Sequence, residues 1–595
     1  MKEIMQSKIT FARKDLYKNT AFLSFLINAV FLLMVILFCD MKYEVSDDFI
    51  VDSVLSGAYG NGYDEHLLFS NIIYGIFLKQ LYKAIPVVSW YFVFQIAICF
   101  FSLWAVTYIV LSRNDLPIGI FLSIIFVSFF SDDVYILVQF TKTAAIATCA
   151  GGALILSEYW KKNKRNNLVI ILGIFLTLVG SMIRFETIYI SLVYLFIMFV
   201  WFVFHNRKEI HIVKKTVICV AICVGTVAMA FIIKKAGEDI WNNDKAYGEY
   251  LQYNTLRASI TDINSYGADS IMPQLEPLGF TITDYYMIDS WNFIDHDYFT
   301  DDKLKNISVI KKSYSDSVTK SLRYGINQFM DRKYYKYTTV MGLVVIFLIL
   351  MLWDFKGSII RLLFGGTAVF FLIYFIMHGR VVYRVEYSIL VCTAIAILVT
   401  TERHRNVDIQ IRTALIYFGV VVCVCKIPLY IKDTSYKTMS DEEYSQYIYD
   451  CFFESWNFKL KKYRCNVSER KPHENLMNLI HSDQEHYYLA DFSSCIQLLY
   501  FNYKPWIRVE QGEYCDYSYL GGVTMGYPDN FYMWEAQGMD CNNPYKSLCN
   551  DNIYVIDNWN AETKMWYERE KYNSETQAEL ISTIDGFNLW KFRVD

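Results

Sequence analysis

Residues 21–38 read AFLSFLINAVFLLMVILF, a run without any charged side chain. A helix of roughly 20 apolar residues crosses a hydrocarbon core of about 30 Å, so this run predicts a first membrane span. No cleavage site of small residues follows it, and the bulky Phe38 before Cys39 does not suit a lipoprotein site. We therefore expect the span to be retained as an anchor. The segment that follows, CDMKYEVSDDF at 39–49, is acidic.

Similar apolar runs recur along the first 430 residues, and they predict about eleven membrane spans. The predicted spans are 21–38, 89–111, 116–130, 135–156, 168–183, 187–204, 216–233, 338–352, 362–377, 387–400 and 414–430. Of the 595 residues, 54% are hydrophobic, and the net charge is −4. This composition disfavours a disordered chain, and without a basic excess we expect no nucleic-acid partner.

Lys and Arg concentrate in every second connection between the predicted spans. The net basic connections are 160–167, 205–215, 354–361 and 402–412, whereas the segment 40–66 carries several acids and a single lysine. Because basic loops stay on the cytoplasmic side, segment 1–20 is predicted to be cytoplasmic. An odd number of spans then places the loops 40–88 and 234–337 and the tail 431–595 outside the cell.

The tail 431–595 alternates a helical stretch at 441–463 with strand-like runs. The runs are at 487–492, 553–557 and 587–594. The predicted fold class is therefore an all-α polytopic membrane bundle over 21–430, followed by an extracytoplasmic α/β domain over 431–595.

Six of the 14 cysteines belong to this tail, namely Cys451, Cys465, Cys495, Cys515, Cys541 and Cys549. An even number in an oxidising compartment suits disulfides, and no C-x-x-C spacing of a zinc site occurs. Bridges or free thiols are both consistent with this pattern.

Charged groups near membrane depth are costly, and the candidates here gather in four connections at the predicted outer face. Ser46, Asp47 and Asp48 follow the first span, and one carboxylate could act as general base toward a hydroxyl. The alternative is a helix cap with acids in its first turn. The second acidic pair, Asp132 and Asp133, is equally consistent with a plain turn.

Basic residues lie in the same predicted layer. Arg380 and Arg384 are spaced to share one helix face, an arrangement that suits an anion such as a phosphate between them. Alternatively, they reach lipid headgroups or are neutralised by Glu186 and Glu386. Lys142, about nine residues after Asp133 and inside the fourth predicted span, faces either a polar cavity or an acidic partner.

Aromatic residues beside Asp and Asn in the loop 234–337, such as Trp291, are typical of sugar sites but also of ordinary packing. With the acidic first loop and the outer basic groups, the layout resembles the GT-C class of integral-membrane glycosyltransferases. Asp47 and Asp48 occupy the position of that class's first acidic motif, and Asp132 and Asp133 resemble the second motif of oligosaccharyltransferases. These acids are adjacent, however, and do not form a spaced D-x-D.

The chain also resembles a group of multispan proteins of low-GC Gram-positive bacteria. The residues that carry this second resemblance are Ser46-Asp47-Asp48-Phe49, Tyr253 to Arg257, Ser290-Trp291 and Gly379-Arg380. This resemblance implies no particular activity. Heavy use of Ile, Lys, Asn and Tyr is typical of an AT-rich bacterial genome, so we expect a bacterial plasma membrane.

The GT-C resemblance implies that a sugar moves from a polyprenyl-phosphate carrier to an acceptor such as a cell-surface glycopolymer, with inversion. Asp47 or Asp48 would be the base. The phosphate would be bound by Arg380, Arg384, Lys142 and Arg184, and the substrate by Glu186, Arg257, Trp291 and His378. A divalent cation, Mg²⁺ or Mn²⁺, could bridge Asp47, Asp48, Asp132 and Asp133, and no other cofactor is implied.

Three other functions compete with glycosyl transfer. A flippase or transporter of lipid-linked saccharides needs ionisable residues near the membrane midplane. A polysaccharide polymerase also uses outer-face arginines but takes a growing glycan as donor. A glycan receptor anchored by the bundle would need far fewer spans.

Overall fold

The structure of the chain is a computed structural model. The structure describes residues 19–39, 41–161, 165–263, 266–334, 337–353, 357–380, 382–401, 474–501 and 504–594, together with Tyr417, Val421, Ser440 and Glu443. The predicted span 414–430 and the predicted helix 441–463 therefore lie outside the described residues, apart from three of these single positions.

Most of the described chain is helical. Residues 19–401 contain α1 Thr20–Phe38, α2 Ser46–Leu55, α3 Ile72–Ala84, α4 Trp90–Arg113, α5 Leu116–Phe130, α6 Asp132–Tyr135, α7 Phe140–Tyr159, α8 Asn167–Ile183, α9 Thr187–His205, α10 Ile212–Asn243, α11 Lys245–Thr261, α12 Ala268–Leu275, α13 Ile282–Asp289, α14 Asp301–Thr319, α15 Leu322–Asp331, α16 Thr338–Trp353, α17 Ser358–Met377 and α18 Tyr383–Val399. A two-stranded parallel ribbon, β1 Lys42–Tyr43 with β2 Leu137–Val138, ties the first loop to the start of α7.

Six of these helices, α1, α4, α7, α9, α10 and α17, are long and apolar enough to cross a membrane. Three further apolar helices, α5, α8 and α16, are shorter. The described chain is thus consistent with a helical membrane protein, as its apolar runs predict. The predicted span 387–400 coincides with most of α18.

Helix α7 is the centre of the bundle and packs against α4, α8, α9 and α18. Its crossing with α8 is close because glycines face each other. A Cβ added to Gly151 would lie 2.6 Å from the carbonyl oxygen of Gly173, and one added to Gly173 would lie 2.8 Å from that of Gly151. Since such separations are sterically excluded, only glycine permits this backbone approach.

The predicted fourth span, 135–156, begins too early. Helix α7 starts at Phe140, after the single turn α6 and strand β2. Gln139 is its N-cap, and the Gln139 side chain accepts hydrogen bonds from the backbone N–H groups of Thr141 and Lys142. Lys142 is therefore in the first turn of the helix and not deep inside a span.

The predicted loops 40–88 and 234–337 are mostly helical. The first contains α2 and α3, and the second contains the end of α10 and the helices α11 to α15. These helices and the C-terminal region share one hydrophobic core with the bundle.

The C-terminal region folds as a mixed sheet with helices, as its strand-like runs predict. Its elements are α19 Glu474–Ser482, β3 Tyr487–Asp491, α20 Phe492–Phe501, β4 Tyr517–Leu520, α21 Pro528–Ala536, β5 Ile553–Ile556, α22 Ala561–Lys571, β6 Thr576–Ile584 and β7 Phe587–Val594. The strand order is β4-β3-β5-β7-β6, with β3 parallel to both neighbours and β7 antiparallel to both of its own. Strands β4 and β6 have no counterpart among the runs predicted from sequence. The four described tail cysteines, Cys495, Cys515, Cys541 and Cys549, are free thiols.

Candidate functional site

A cavity of about 940 Å³ lies where the bundle meets the C-terminal region. It is lined from the start of α2, the α8–α9 connection, α9, α11, α17, α18 and α20. It brings together eight of the predicted site residues: Asp47, Arg184, Glu186, Arg257, Trp291, His378, Arg380 and Arg384. Asp48, Asp132, Asp133 and Lys142 are not among the residues that line it. Charged groups far apart in sequence therefore face a single cavity.

Asp47 is the second residue of α2 and is half-buried at the cavity wall. Burial raises the pKa of the Asp47 carboxyl, the charge of Arg384 opposes this rise most strongly, and Asp262 adds to it. A carboxylate whose pKa is raised by burial is a better proton acceptor than a solvated one. Asp47 is thus a carboxylate in contact with the cavity whose basicity suits proton abstraction.

The arginines of the cavity differ in how far they are already neutralised. Arg184 Nε lies 2.8 Å from Glu186 Oε2, and Arg380 Nη2 donates to Asp262 Oδ2 at 2.9 Å. Among the described residues, the guanidinium of Arg384 has no hydrogen-bond or ion-pair partner. Arg384 is therefore a positive charge left available for an anionic ligand.

The predicted helical pairing of Arg380 with Arg384 is wrong in detail. Val382 is the extended N-cap of α18, so Arg380 precedes the helix and Arg384 is its second residue. The two arginines therefore do not share a helix face. Both still line the cavity. Glu386 does not neutralise either one, because it accepts hydrogen bonds from Arg332 at 2.6 and 3.1 Å.

Arg257 and Trp291 form a cation–π pair at one wall. The Arg257 guanidinium is buried 5.3 Å from the centre of the Trp291 ring, and its Nε donates to Asn254 Oδ1 at 2.8 Å. Trp291 has a φ of +62°, a left-handed conformation that is strained for a bulky residue. Its carbonyl oxygen accepts a hydrogen bond from the N–H of Gly522, at 2.9 Å, so the C-terminal region holds this conformation in place.

His378 stands at the cavity rim in an exposed position. Its Nδ1 lies 2.8 Å from the carbonyl oxygen of Tyr374, and the two rings are 4.2 Å apart. Because a carbonyl oxygen only accepts, Nδ1 carries the hydrogen, and Nε2 remains to accept or, when protonated, donate.

Asp48 points into the bundle and does not face the cavity. Its Oδ1 accepts hydrogen bonds from Tyr91 Oη at 2.8 Å, Gln95 Nε2 at 3.0 Å and the backbone N–H of Phe140 at 3.1 Å. Its Oδ2 is buried and has no hydrogen-bond partner in the part of the chain that the structure describes. Burial raises the pKa of Asp48 to about 8. The hydrogen bonds to Asp48 oppose this rise, and they join α2 to α4 and α7.

Replacing Asp48 by asparagine is expected to leave the protein folded at pH 7, with a thermal midpoint equal to or higher than wild type. The folded-state pKa lies above the ordinary value of 3.8, so the folded state binds more protons and loses stability as pH rises from about 4 to about 8. Asparagine resembles the protonated acid and removes that loss. A thermal midpoint lowered by more than about 5 °C at pH 7 would contradict this assignment.

The second acidic pair and Lys142 belong to a separate buried cluster. Lys142 Nζ lies 2.6 Å from Glu44 Oε2 and 3.3 Å from Asp133 Oδ1, and Tyr383 Oη donates to Asp133 Oδ2 at 2.7 Å. Asp132 Oδ1 accepts from the backbone N–H of Asp133 at 3.0 Å. Lys142 therefore matches the ion-pair alternative, and it is not placed to bind a ligand in the cavity.

The predicted bridging of Asp47, Asp48, Asp132 and Asp133 by a cation does not fit this geometry, because three of these acids are engaged elsewhere. Among the described residues, Asp64, Glu65 and His66 form a group with metal-ligand spacing, within 4.8 Å. Those residues are not part of the cavity lining.

One side of the cavity is apolar. Helix α9 contributes Tyr189, Ile190 and Val193, and α17 contributes Phe370, Phe371, Tyr374 and Phe375. Tyr189, Val193, Phe370 and Tyr374 are also exposed on the helix surface. The cavity thus combines an arginine-rich end with an apolar flank on two helices that are long enough to cross a membrane.

Sequence reasoning missed several lining residues. Asp262, which pairs with Arg380, lies in an unremarkable polar stretch, and Phe492, Ser493, Ile496 and Val523 come from the tail. No signal in the sequence connects the tail with the bundle. Only the folded chain shows that the C-terminal region helps to form the cavity.

No protein-family model matches the chain, and no curated protein is significantly similar to it. A function for this chain therefore has to rest on the site itself.

Proposed function

We propose that the chain is an integral-membrane glycosyltransferase that moves a sugar from a polyprenyl-phosphate carrier to an acceptor hydroxyl. The observation that carries the proposal is the cavity itself. In the cavity, Arg384 has no hydrogen-bond or ion-pair partner among the described residues, and its positive charge lowers the pKa of the Asp47 carboxyl. Apolar residues of two long helices form the flank. An amphipathic ligand with a phosphate at one end and an isoprenoid chain at the other fits this combination.

In this reaction Asp47 takes the proton of the acceptor hydroxyl as its oxygen attacks the anomeric carbon. A new C–O bond forms at that carbon while the bond to the phosphate oxygen breaks on the opposite face, which inverts the configuration. The leaving group is the polyprenyl phosphate, and Arg384 neutralises the charge that develops on it. Each well-placed donor of this kind is worth on the order of 3 kcal/mol.

The other residues of the cavity bind and orient the substrate. Arg380 and Arg184 add positive charge near the phosphate, although each already pairs with an acid. The cation–π pair of Arg257 and Trp291 offers an aromatic ring beside a cation, which suits a sugar ring. Glu186 and His378 are polar groups at the rim available for sugar or acceptor hydroxyls. A divalent cation could contact only Asp47 among the four predicted acids, so no step is assigned to a metal.

The proposal includes a membrane topology. The chain would cross a bacterial plasma membrane about eleven times, with residues 1–20 in the cytoplasm and the C-terminal region outside. The cavity then opens at the level of the outer headgroups, where a lipid-linked sugar presents its phosphate. The acceptor would be a glycan or glycopolymer of the cell surface.

Native mass spectrometry of the purified protein with an added polyprenyl phosphate tests the proposal. Wild type is expected to retain one lipid, and Arg384→Gln is expected to weaken retention by roughly tenfold or more, since one charge-assisted contact is lost. Arg593→Gln is the matched control, because Arg593 is an exposed arginine of the C-terminal sheet, paired with Glu579. Equal retention by wild type and Arg384→Gln would refute the assignment of Arg384.

A further inference from the structure

A short turn of the C-terminal region exposes apolar side chains beside the start of a long apolar helix. Trp506 and Ile507 are 41% and 51% exposed, although both are large apolar residues. The Trp506 ring lies 6.5 Å from the ring of Phe92, which is in the first turn of α4. The turn is thus level with the end of a helix that is long and apolar enough to cross a membrane.

The segment that joins α3 to α4 is exposed and apolar in the same way. Val87 is 78% exposed and Ile85 is 47% exposed. The turn lies close to the end of α3, because the guanidinium of Arg508 is 5.4 Å from the centre of the Tyr82 ring. We name Ile85, Val87, Trp506 and Ile507 the interfacial edge.

Helix α4, whose first turn contacts the interfacial edge, carries exposed apolar residues that face lipid if the helix crosses the membrane. Val93 and Phe101 of α4 are 41% and 43% exposed. Lys83, in the last turn of α3, is exposed nearby, and Lys504 is half-buried just before the turn. Tryptophan and aliphatic tips flanked by lysines are typical of the headgroup layer, where apolar groups reach the acyl boundary and ammonium groups meet phosphates.

From these observations we infer that the interfacial edge inserts into the headgroup layer of the membrane and anchors the C-terminal region to it. The occupant of this surface is the lipid bilayer, because the edge adjoins the first turn of α4, where Trp506 contacts Phe92. The inference requires only that α4 crosses a membrane and is independent of the proposed glycosyl transfer.

The anchor has a consequence for the cavity. Arg508, next to the turn, donates from Nη2 to the carbonyl oxygen of Ser56 at 2.6 Å, and Ser56 is the C-cap of α2. The N-terminal turn of the same helix carries Asp47. Insertion of the turn therefore fixes the helix that bears Asp47 at a constant depth relative to the lipid surface.

Site-specific photocrosslinking in reconstituted vesicles of phosphatidylethanolamine and phosphatidylglycerol tests this inference. The photoreactive residue p-benzoylphenylalanine replaces Trp506 in the full chain, which preserves an aromatic side chain at that position. Phe101 of α4 is the lipid-facing reference. Leu580 is the matched negative control, since it is 48% exposed and lies on β6, the sheet edge opposite to β4.

We expect the yield of lipid adducts at position 506 to lie within about threefold of that at position 101 and to exceed that at position 580 by about tenfold. Adducts at 101 but not at 506 would overturn the anchor while leaving the membrane span in place. Equal yields at 506 and 580 would overturn it as well. The vesicles contain no polyprenyl phosphate, so these outcomes do not depend on the proposed reaction.

Discussion

Replacement of Asp47 by asparagine is expected to lower the rate of sugar transfer by about 10²–10⁴-fold, the usual contribution of a general base. Asparagine keeps the size and polarity of the side chain but cannot accept the acceptor's proton. The loss should appear in kcat, because Asp47 acts on the acceptor proton in the transition state. The measurement is transfer of radiolabelled sugar from a polyprenyl-phosphate donor by purified protein in detergent or vesicles.

Asp48→Asn is the matched control for this experiment. The two residues are adjacent on α2, but Asp47 lines the cavity and Asp48 contacts Tyr91, Gln95 and Phe140 inside the bundle. Asp48→Asn should therefore keep transfer within a few-fold of wild type. Full activity in Asp47→Asn, or loss only in Asp48→Asn, would refute Asp47 as the base.

The second prediction with a large expected effect concerns the stability of the C-terminal region. Lys564 in α22 is fully buried, with its Nζ 2.7 Å from Asp491 Oδ2 and 2.6 Å from Asp557 Oδ2. The two carboxylates lie at the same end of two neighbouring parallel strands, because β3 ends at Asp491 and β5 ends just before Asp557. Lys564→Met would leave both buried without a cation, which costs about 3–5 kcal/mol.

We expect Lys564→Met to lower the thermal midpoint of the purified protein by about 10 °C. Lys546→Met is the control, because Lys546 pairs with Asp297 at an exposed position, and a pair of that kind is worth less than about 1 kcal/mol. Equal midpoints for Lys564→Met and wild type would show that the buried cluster does not stabilise the C-terminal region.

Lys564→Met is also expected to disturb the wall of the cavity. Asp491 Oδ2 also accepts a hydrogen bond from Asn292 Nδ2, at 2.8 Å, and Asn292 follows the strained Trp291. The buried cluster therefore helps to hold the loop that places Trp291 against Arg257.

The sequence was most informative about the apolar helices and the acidic and basic groups at their ends. Long apolar runs predict helices because backbone groups in a membrane must be paired within the segment, and α1, α4 and α9 match their predicted spans within a few residues. The start of α7 was misplaced, because the apolar residues Tyr135 to Val138 continue the pattern while forming a turn and a strand. That error put Lys142 too deep in the span.

The sequence predicts which residues come together at the site, but not the contacts that each of them makes there. Titratable residues at the ends of separate spans were expected to meet, and six of them, Asp47, Arg184, Glu186, His378, Arg380 and Arg384, do line one cavity. Sequence could not distinguish Asp47 from its neighbour, since the difference is a rotation of about 100° around a helix axis. Nor could it predict that Glu386 turns to Arg332, or that Phe492 and Ser493 of the tail complete the wall.

The most direct measurement is an experimental structure of the protein in lipid nanodiscs with a polyprenyl phosphate added. We expect density for the phosphate within about 4 Å of the Arg384 guanidinium, the reach of a charge-assisted contact, and the isoprenoid chain along α9 and α17. A phosphate bound elsewhere, or a cavity that stays without lipid while Asp47 and Arg384 keep their places, would contradict the proposed function.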